Sequence, residues 1–240
     1  MSGSDLRIAG LDPFSMVDWP GKLVATVFLQ GCPWRCAYCH NHQILDPRQP
    51  GRVSVEELMQ VAQSRLGFLD GLVFSGGEPL MQGSALERLL PEFKVMGYEL
   101  GLHTGGAFPR ALRSLLAAGC LDWVGLDVKA LPRDYPRVVG RPAAVKTASV
   151  VAESLEAWLE SGIAGEVRVT VYPGGSDWLT LVEELLAQGV PALALQQARA
   201  VGAAAGFQPL VDRKFVDLAA AAQELADQAG VPLEVRPAAA

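Results

Sequence analysis

The chain has 240 residues, half of them hydrophobic and 19% charged, so it carries enough apolar side chain to offset the entropy lost on folding, and general disorder is excluded. A formal net charge of −6 would repel nucleic-acid phosphates, whose capture rests on Lys and Arg, so a nucleic-acid-binding role is not expected. No uninterrupted apolar run reaches the roughly 18 to 20 residues of a spanning helix, and Met1 to Asp5 leads into no cleavable hydrophobic segment, so the expectation is a soluble, cytoplasmic protein with no membrane partner.

Hydrophobic period and Gly/Pro punctuation divide the chain into six strand–helix units. The first strand is expected at Leu23 to Leu29. It is followed by a polar loop carrying three cysteines and by a helix opening near Ser54, where Ser54-x-x-Glu57 has the form of a capping box. The second strand, Leu72 to Phe74, breaks at Gly76-Gly77 before a helix from Ala85 to Val95. Strand Glu99 to His103 breaks at Gly105-Gly106 before a helix between Pro109 and Ala118. The fourth strand is Trp123 to Val128. A helix over Val150 to Leu159 and a strand over Val167 to Val171 come next, then Pro173-Gly174-Gly175 and a helix from Trp178 to Ala187. The sixth strand is Ala192 to Leu195, with a last helix from Phe215 to Ala226, an edge strand at Leu233 to Val235 and a frayed tail from Pro237 to Ala240.

Strands alternating with helices imply parallel pairing through right-handed crossovers. The expected fold is therefore α/β, a partial (β/α)6 TIM-like barrel. One domain over 1–240 is expected, with a core over about 22–200, a lead-in over 1–21 and a C-terminal helix and tail over 211–240. In such folds chemistry sits at the C-terminal ends of the parallel strands, and each Gly-rich break follows a strand.

Four cysteines are too few for a disulfide framework in a chain that can build a core, and three of them cluster as Cys32-x3-Cys36-x2-Cys39 directly after the first strand. That clustering points to metal chemistry in a reducing compartment. Three thiolates leave one position of a four-iron cluster without a cysteine. The alternative is a Cys3His zinc site with His40 or His42 as the fourth ligand, and a plain iron–sulfur or zinc module for electron transfer or partner binding is the corresponding non-enzymatic reading. Cys120 reads as an ordinary buried side chain.

Three further groups stand out. In Ser75-Gly76-Gly77-Glu78-Pro79 the glycines allow close backbone approach and Glu78 offers an acceptor for an ammonium, although Gly-Gly before Pro is also an ordinary turn. Asp127 and Lys129 are two apart on the fourth strand and so share a face, where charges are costly unless paired or liganded; the alternative is an exposed strand end. Arg168 and Thr170 share a face in the same way. His103 alone reads as a hydrogen-bonded structural histidine.

Cys32-x3-Cys36-x-Tyr38-Cys39, with an aromatic residue before the last cysteine, resembles the signature of the radical S-adenosylmethionine (SAM) superfamily. The resemblance covers about residues 10 to 200. It implies a 4Fe-4S cluster held by Cys32, Cys36 and Cys39, whose open iron is chelated by the amino and carboxylate groups of SAM; reduction then cleaves SAM to methionine and a 5'-deoxyadenosyl radical. Tyr38 and His40 would shape the cluster loop.

Gly76-Gly77-Glu78-Pro79 resembles the superfamily's GGEP segment, which contacts the SAM amino group. Leu126-Asp127-Val128-Lys129 resembles the D-x-K segment of glycyl-radical-enzyme activases, which implies that Asp127 and Lys129 contact SAM. Arg168 followed by Val171-Tyr172-Pro173-Gly174-Gly175-Ser176-Asp177 resembles their R-x-x-V-x-P-G-x-S-D stretch, which implies a guanidinium on the SAM carboxylate. His103-Thr104-Gly105-Gly106 resembles a T-x-G turn, making Thr104 a candidate SAM or cation contact.

Upstream, Ser15-Met16-Val17-Asp18-Trp19-Pro20-Gly21 is similar to the activases' S-x-x-D-x-P-G lead-in, and its Trp19 is most like the anaerobic ribonucleoside-triphosphate reductase activating proteins. The implied activity is installation of a glycyl radical on such a reductase, with flavodoxin or ferredoxin as electron donor and no catalytic residue beyond the cluster and SAM. The alternatives are activation of another glycyl radical enzyme, or action on a small molecule in the manner of 7-carboxy-7-deazaguanine synthases. No second cysteine set is present for auxiliary clusters. Gln196-Gln197 stands at the last strand without a histidine, leaving a monovalent-cation ligand open.

Overall fold

The computed structural model describes residues 6–140 and 146–238. Its eight strands are β1 (Ile8–Ser15), β2 (Val24–Leu29), β3 (Gly71–Gly76), β4 (Glu99–Thr104), β5 (Trp123–Asp127), β6 (Ala164–Val171), β7 (Leu193–Gln197) and β8 (Leu233–Arg236). They form one sheet whose order is the order of the chain. Every neighbouring pair from β2 to β8 is parallel, and β1 alone runs antiparallel, on β2. The helices are α1 (Val55–Ser64), α2 (Gly83–Val95), α3 (Pro109–Ala117), α4 (Tyr135–Val138), α5 (Thr147–Ser161), α6 (Trp178–Ala187) and α7 (Asp212–Ala229).

The six expected parallel strands and the edge strand are all present, with ends shifted by up to three residues. The capping box forms: Ser54 Oγ accepts from Glu57 N at 3.1 Å and Glu57 Oε2 accepts from Ser54 N at 2.7 Å. Three expectations change. The lead-in is not merely a lead-in, because Ile8–Ser15 forms β1, a strand whose ladder lies on β2. The fourth strand ends at Asp127, so Lys129 lies just past it. The tail is also tied down where it is described, since Ala238 N donates to Gln197 Oε1 at 2.9 Å. Met1–Asp5 and the last two residues lie outside the described residues.

The two sheet faces differ in kind, as the period of two along each strand requires. One face presents Val27, Leu72, Phe74, Leu100, Leu102 and Val124, all fully buried, against apolar residues of the helices such as Leu86, Phe93, Leu115 and Trp158. Each such side chain contributes roughly 1.5–3 kcal/mol by leaving water. The alternate positions carry Ser75, His103, Asp127, Arg168, Gln196 and Glu234, which line a cavity of about 1010 Å³. Strands from β2 to β8 all contribute to that lining, so the sheet curls around it. Among the described residues no ladder joins β8 back to β1, and the barrel is open between them.

The end of the cavity at the strand starts is closed by the segment between β1 and β2. Trp19 stacks on Trp123 with ring centroids 5.5 Å apart and joins Val24 and Val73 in a small separate apolar cluster. Gly101 makes room for it, because a Cβ there would come within 2.9 Å of the Trp19 ring. Among the described residues no helix is long and apolar enough to cross a membrane.

Candidate active site

The cysteine loop leaves β2 through Gly31, whose φ of +100° favours glycine. The loop is held from outside by backbone partners rather than by its own regular structure. Gly31 N donates to Ile44 O at 2.8 Å, Cys32 N to Leu45 O at 3.1 Å and Arg35 N to Val139 O at 2.9 Å. The Arg35 guanidinium satisfies the carbonyls of Cys32 (2.8 Å) and Trp34 (2.7 Å), and Asn41 Nδ2 reaches Gly76 O at 3.0 Å. The residues after β7 cover the far side, where Ala204 N donates to Ala37 O at 3.2 Å.

Cys32, Cys36 and Cys39 all line the cavity as free thiols. Burial and then the nearby Glu78 push Cys32 up to about 12, and burial pushes Cys36 up to about 11 and raises Cys39. As thiols they are therefore neutral at physiological pH, and binding a metal would have to displace their protons. Cys120 is buried apart from them, in the connection between α3 and β5, and does not line the cavity.

Glu78, 1% exposed, closes the turn after β3. Its carboxylate accepts from Thr104 Oγ1 (2.7 Å), Gly105 N (2.9 Å) and Leu80 N (3.1 Å). Burial nevertheless raises it above the ordinary glutamate range against the pull of those donors. The adjoining glycines serve packing: a Cβ on Gly76 would overlap the Leu29 backbone, and one on Gly77 would overlap the Gly31 carbonyl.

Just past β5, Lys129 Nζ lies 3.4 Å from Asp127 Oδ2 and 5.7 Å from the centre of the Trp34 ring. Burial works against the Lys129 ammonium, but the Asp127 carboxylate together with the neighbouring Tyr38, Cys36 and Tyr135 outweighs this, and Lys129 stands well above the ordinary lysine range. Trp34 occupies the space that Gly105 leaves without a side chain.

On β6, Arg168 is 6% exposed. Its Nε donates to Glu166 Oε1 at 2.7 Å, its Nη2 donates to the Asp18 carbonyl at 3.1 Å, and its guanidinium lies 5.2 Å from the centre of the Trp123 ring. The same Asp18 carbonyl accepts from His103 Nε2 at 2.6 Å, while Asp18 Oδ2 accepts from Ser15 Oγ (2.6 Å) and Thr26 Oγ1 (2.7 Å). The lead-in loop is thus strapped across the cavity by its own backbone.

The His103 hydrogen bond fits the structural role expected of it. Burial, then the Arg168 charge, hold the imidazole well below its ordinary range, with Arg236 adding to the effect. In the unfolded chain His103 takes a proton as pH falls through about 6.5. The folded state does not, so it loses stability relative to the unfolded state on acidification below that value. His103→Gln, which keeps a donor and removes the titration, should show a smaller fall in melting temperature between pH 7 and pH 5.5 than the parent protein. Equal falls would show that His103 is not the group responsible.

Of the residues singled out from sequence, Cys32, Cys36, Cys39, Tyr38, His40, Gly76, Gly77, Glu78, Asp127, Lys129 and Arg168 all line this one cavity. Thr104 does not; it is 2% exposed and its hydroxyl is spent on Glu78, placing it behind the cavity wall. His42 does not line the cavity either. Trp34, Glu166 and Arg236 escaped the sequence reading. Glu166 had a visible signal, since Glu166-x-Arg168-x-Thr170 alternates polar side chains on one face of a buried strand.

The donor set fits a cluster better than a single ion. Among the described residues no three His, Cys, Asp or Glu side chains converge as ligands of one metal ion. In a four-iron cluster each thiolate meets a different iron, so such convergence is not needed. The Tyr38 ring packs on Tyr172 at 4.5 Å, and its buried hydroxyl has no hydrogen-bond partner among the described residues. An orphaned polar atom on a cavity wall is what a site shaped for a further group leaves behind.

Comparison with known proteins bears on the same segments. A Methanocaldococcus jannaschii protein named as a candidate glycyl-radical enzyme activating enzyme is 28% identical over 167 residues, covering 69% of this chain and 68% of that one. The pyruvate formate-lyase-activating enzyme of Staphylococcus aureus is 34% identical over 149 residues, 57% of this chain and 58% of its own length; the chain therefore matches little more than half of that relative. Streptococcus suis SuiB, solved with S-adenosylmethionine bound, superposes with a TM-score of 0.66 at 11% identity, over 88% of this chain and 48% of that one, a likeness of fold. The sequence profile of the Radical SAM superfamily matches residues 26–185, from β2 through most of α6. This chain belongs to the radical SAM superfamily of enzymes, which work with a 4Fe-4S cluster and S-adenosylmethionine.

Proposed function

We propose that this protein is an activase that installs a glycyl radical on a partner enzyme, an anaerobic ribonucleotide reductase, with flavodoxin or ferredoxin as electron donor. The observation that carries the reading is the cavity itself: three thiols, four carboxylates and four cationic side chains line about 1010 Å³, within a sheet that is open between β8 and β1. A closed barrel would admit only small molecules, whereas an open side admits a loop of another protein. The relatives' names support an activase of glycyl radical enzymes, and the Ser15 to Gly21 segment is what favours the reductase as the partner.

In this reading Cys32, Cys36 and Cys39 hold the cluster, Glu78 accepts from the SAM ammonium, and Arg168 meets its carboxylate. Asp127 and Lys129 form the wall beside them. When bound, the cluster and SAM supply the hydrogen-abstracting radical chemistry of the superfamily. The chain's own residues bind and orient. His103 and Thr104 have their hydrogen bonds committed to other protein groups, and Glu78 has three of its roughly four acceptor positions taken by protein donors, leaving one for the ammonium. Met16 and Val17 line the cavity yet are 64% and 77% exposed, which makes them the apolar rim that an entering loop would meet.

The test is anaerobic reconstitution with SAM, a reductant and purified glycyl radical enzymes, read by electron paramagnetic resonance. A glycyl doublet on the ribonucleotide reductase is the expected result. A doublet on another glycyl radical enzyme would change the partner, and SAM consumption stimulated by a pterin with no doublet would replace the reading with a small-molecule one.

A further inference from the structure

Arg168 is restrained on three sides and open on one. Glu166 takes Nε, the Asp18 carbonyl takes Nη2 and Trp123 covers one face. Gly125 lies under the guanidinium, where a Cβ would come within 3.0 Å of Cζ. Nη1 has no acceptor among the described residues, and Arg168 lines the cavity. A guanidinium has five donors in a fixed fork, so fixing Nε and Nη2 also fixes where Nη1 points.

That restraint depends on Glu166, which is 4% exposed and is gripped a second time. Arg236, on β8, donates Nη1 to Glu166 Oε1 at 2.8 Å and Nη2 to Oε2 at 3.0 Å; its Nη2 also reaches Glu234 Oε2. With one bond to each oxygen, the fork sets the plane of the Glu166 carboxylate and so fixes where Oε1 meets Arg168 Nε. Without Arg236, Oε2 would be free to compete with the Asp18 carbonyl for Nη2. The Arg168 guanidinium would then turn and carry Nη1 away from the cavity. β8 lies beyond residues 26–185, the part matched by the superfamily profile.

We propose that Arg236 and Glu166 are positioning residues that hold Arg168 with one guanidinium edge presented to the carboxylate of the cofactor in the cavity. The inference rests on the reading that the cavity takes SAM. It predicts a specific loss, of carboxylate recognition and not of binding in general.

The test measures equilibrium binding of SAM and of decarboxylated SAM, which lacks the carboxylate, to the anaerobically reconstituted protein. Arg236→Ala should weaken SAM roughly ten-fold, the scale of one charge-assisted hydrogen bond, and leave the decarboxylated analogue within about two-fold, as expected for a contact that the analogue never makes. Arg236→Lys should fall between, because an ammonium keeps the charge but cannot form the fork. Glu166→Gln, which replaces one oxygen by a donor facing Arg236, should behave like Arg236→Ala and serves if that variant fails to fold. Equal weakening of both ligands, or of neither, overturns the proposal. Failure of the parent protein to bind SAM at all would instead sink the cofactor reading on which it stands, and the proposal with it.

Discussion

A Gly77→Ala protein is expected to keep its sheet and helices but to lose most of its capacity to take up iron. The backbone at Gly77 needs no positive φ, unlike Gly76 at +116°, so conformation is not the reason. The reason is approach: the new methyl would overlap the Gly31 carbonyl and come within 3.2 Å of Cys32 Cβ. These are backbone atoms and the root of a buried side chain, with no flexible end to swing aside. β3 and the start of the cysteine loop must therefore separate, although Glu78 N donates to Gly31 O at 2.8 Å and holds them together. Overpacking of this kind costs about 1–3 kcal/mol. Its functional effect should be larger, because the displaced residue carries the first of three thiols. Iron per chain after anaerobic reconstitution, compared with far-ultraviolet circular dichroism, separates the two effects. Full iron content in the variant would show that the Gly31–Cys32 backbone can move without cost to the site.

The second large effect is expected at Glu78. Its carboxylate is the common acceptor for Leu80 N, Thr104 Oγ1 and Gly105 N, and it joins the end of β3 to the end of β4. Glu78→Ala leaves all three donors without their partner at the base of a buried wall. Each buried unsatisfied group costs about 1–3 kcal/mol, and the adjacent cavity lets water recover part of this, so a loss of about 2–4 kcal/mol is expected. Glu78→Gln should restore part of it, since its one amide oxygen can serve two donors while its NH2 faces the third. Urea unfolding midpoints at unchanged slope measure both variants. An alanine variant as stable as the parent would mean that the three donors are satisfied by water and that Glu78 is not a structural tie.

The architecture was legible in the chain because the fold repeats one local unit. Alternation of apolar strands with 10–15-residue helical patterns placed all seven parallel strands, and the Gly breaks at Gly76-Gly77 and Gly105-Gly106 marked their C-terminal ends. β1 was not legible: Ile8–Ser15 contains Gly10 and Pro13, both poor strand formers, and its conformation comes from the ladder on β2, a pairing no local pattern reports. The site divides in the same way. Cys32, Cys36, Cys39, Glu78, Asp127, Lys129 and Arg168 carry motifs, and the fold gathers them around one cavity. The groups that fix their orientation were hidden. The Asp18 carbonyl is backbone, Arg236 contacts Glu166 from 70 residues away, and Thr104 has a motif but spends its hydroxyl on Glu78. Side-chain chemistry is written locally, whereas restraint of that chemistry comes from distant segments.

Because the strands lie in the sheet in the order in which they occur in the chain, each can settle on its predecessor as it leaves the ribosome, without waiting for a later segment to be inserted between two earlier ones. Glu166 and Arg236 are 70 residues apart, so at about 5–20 residues per second roughly 4–14 s pass between their synthesis. During that interval the nascent barrel can have its thiol loop in place while the guanidinium that steadies the opposite wall has yet to be made. Vectorial assembly thus finishes at the ligand pocket rather than beginning there.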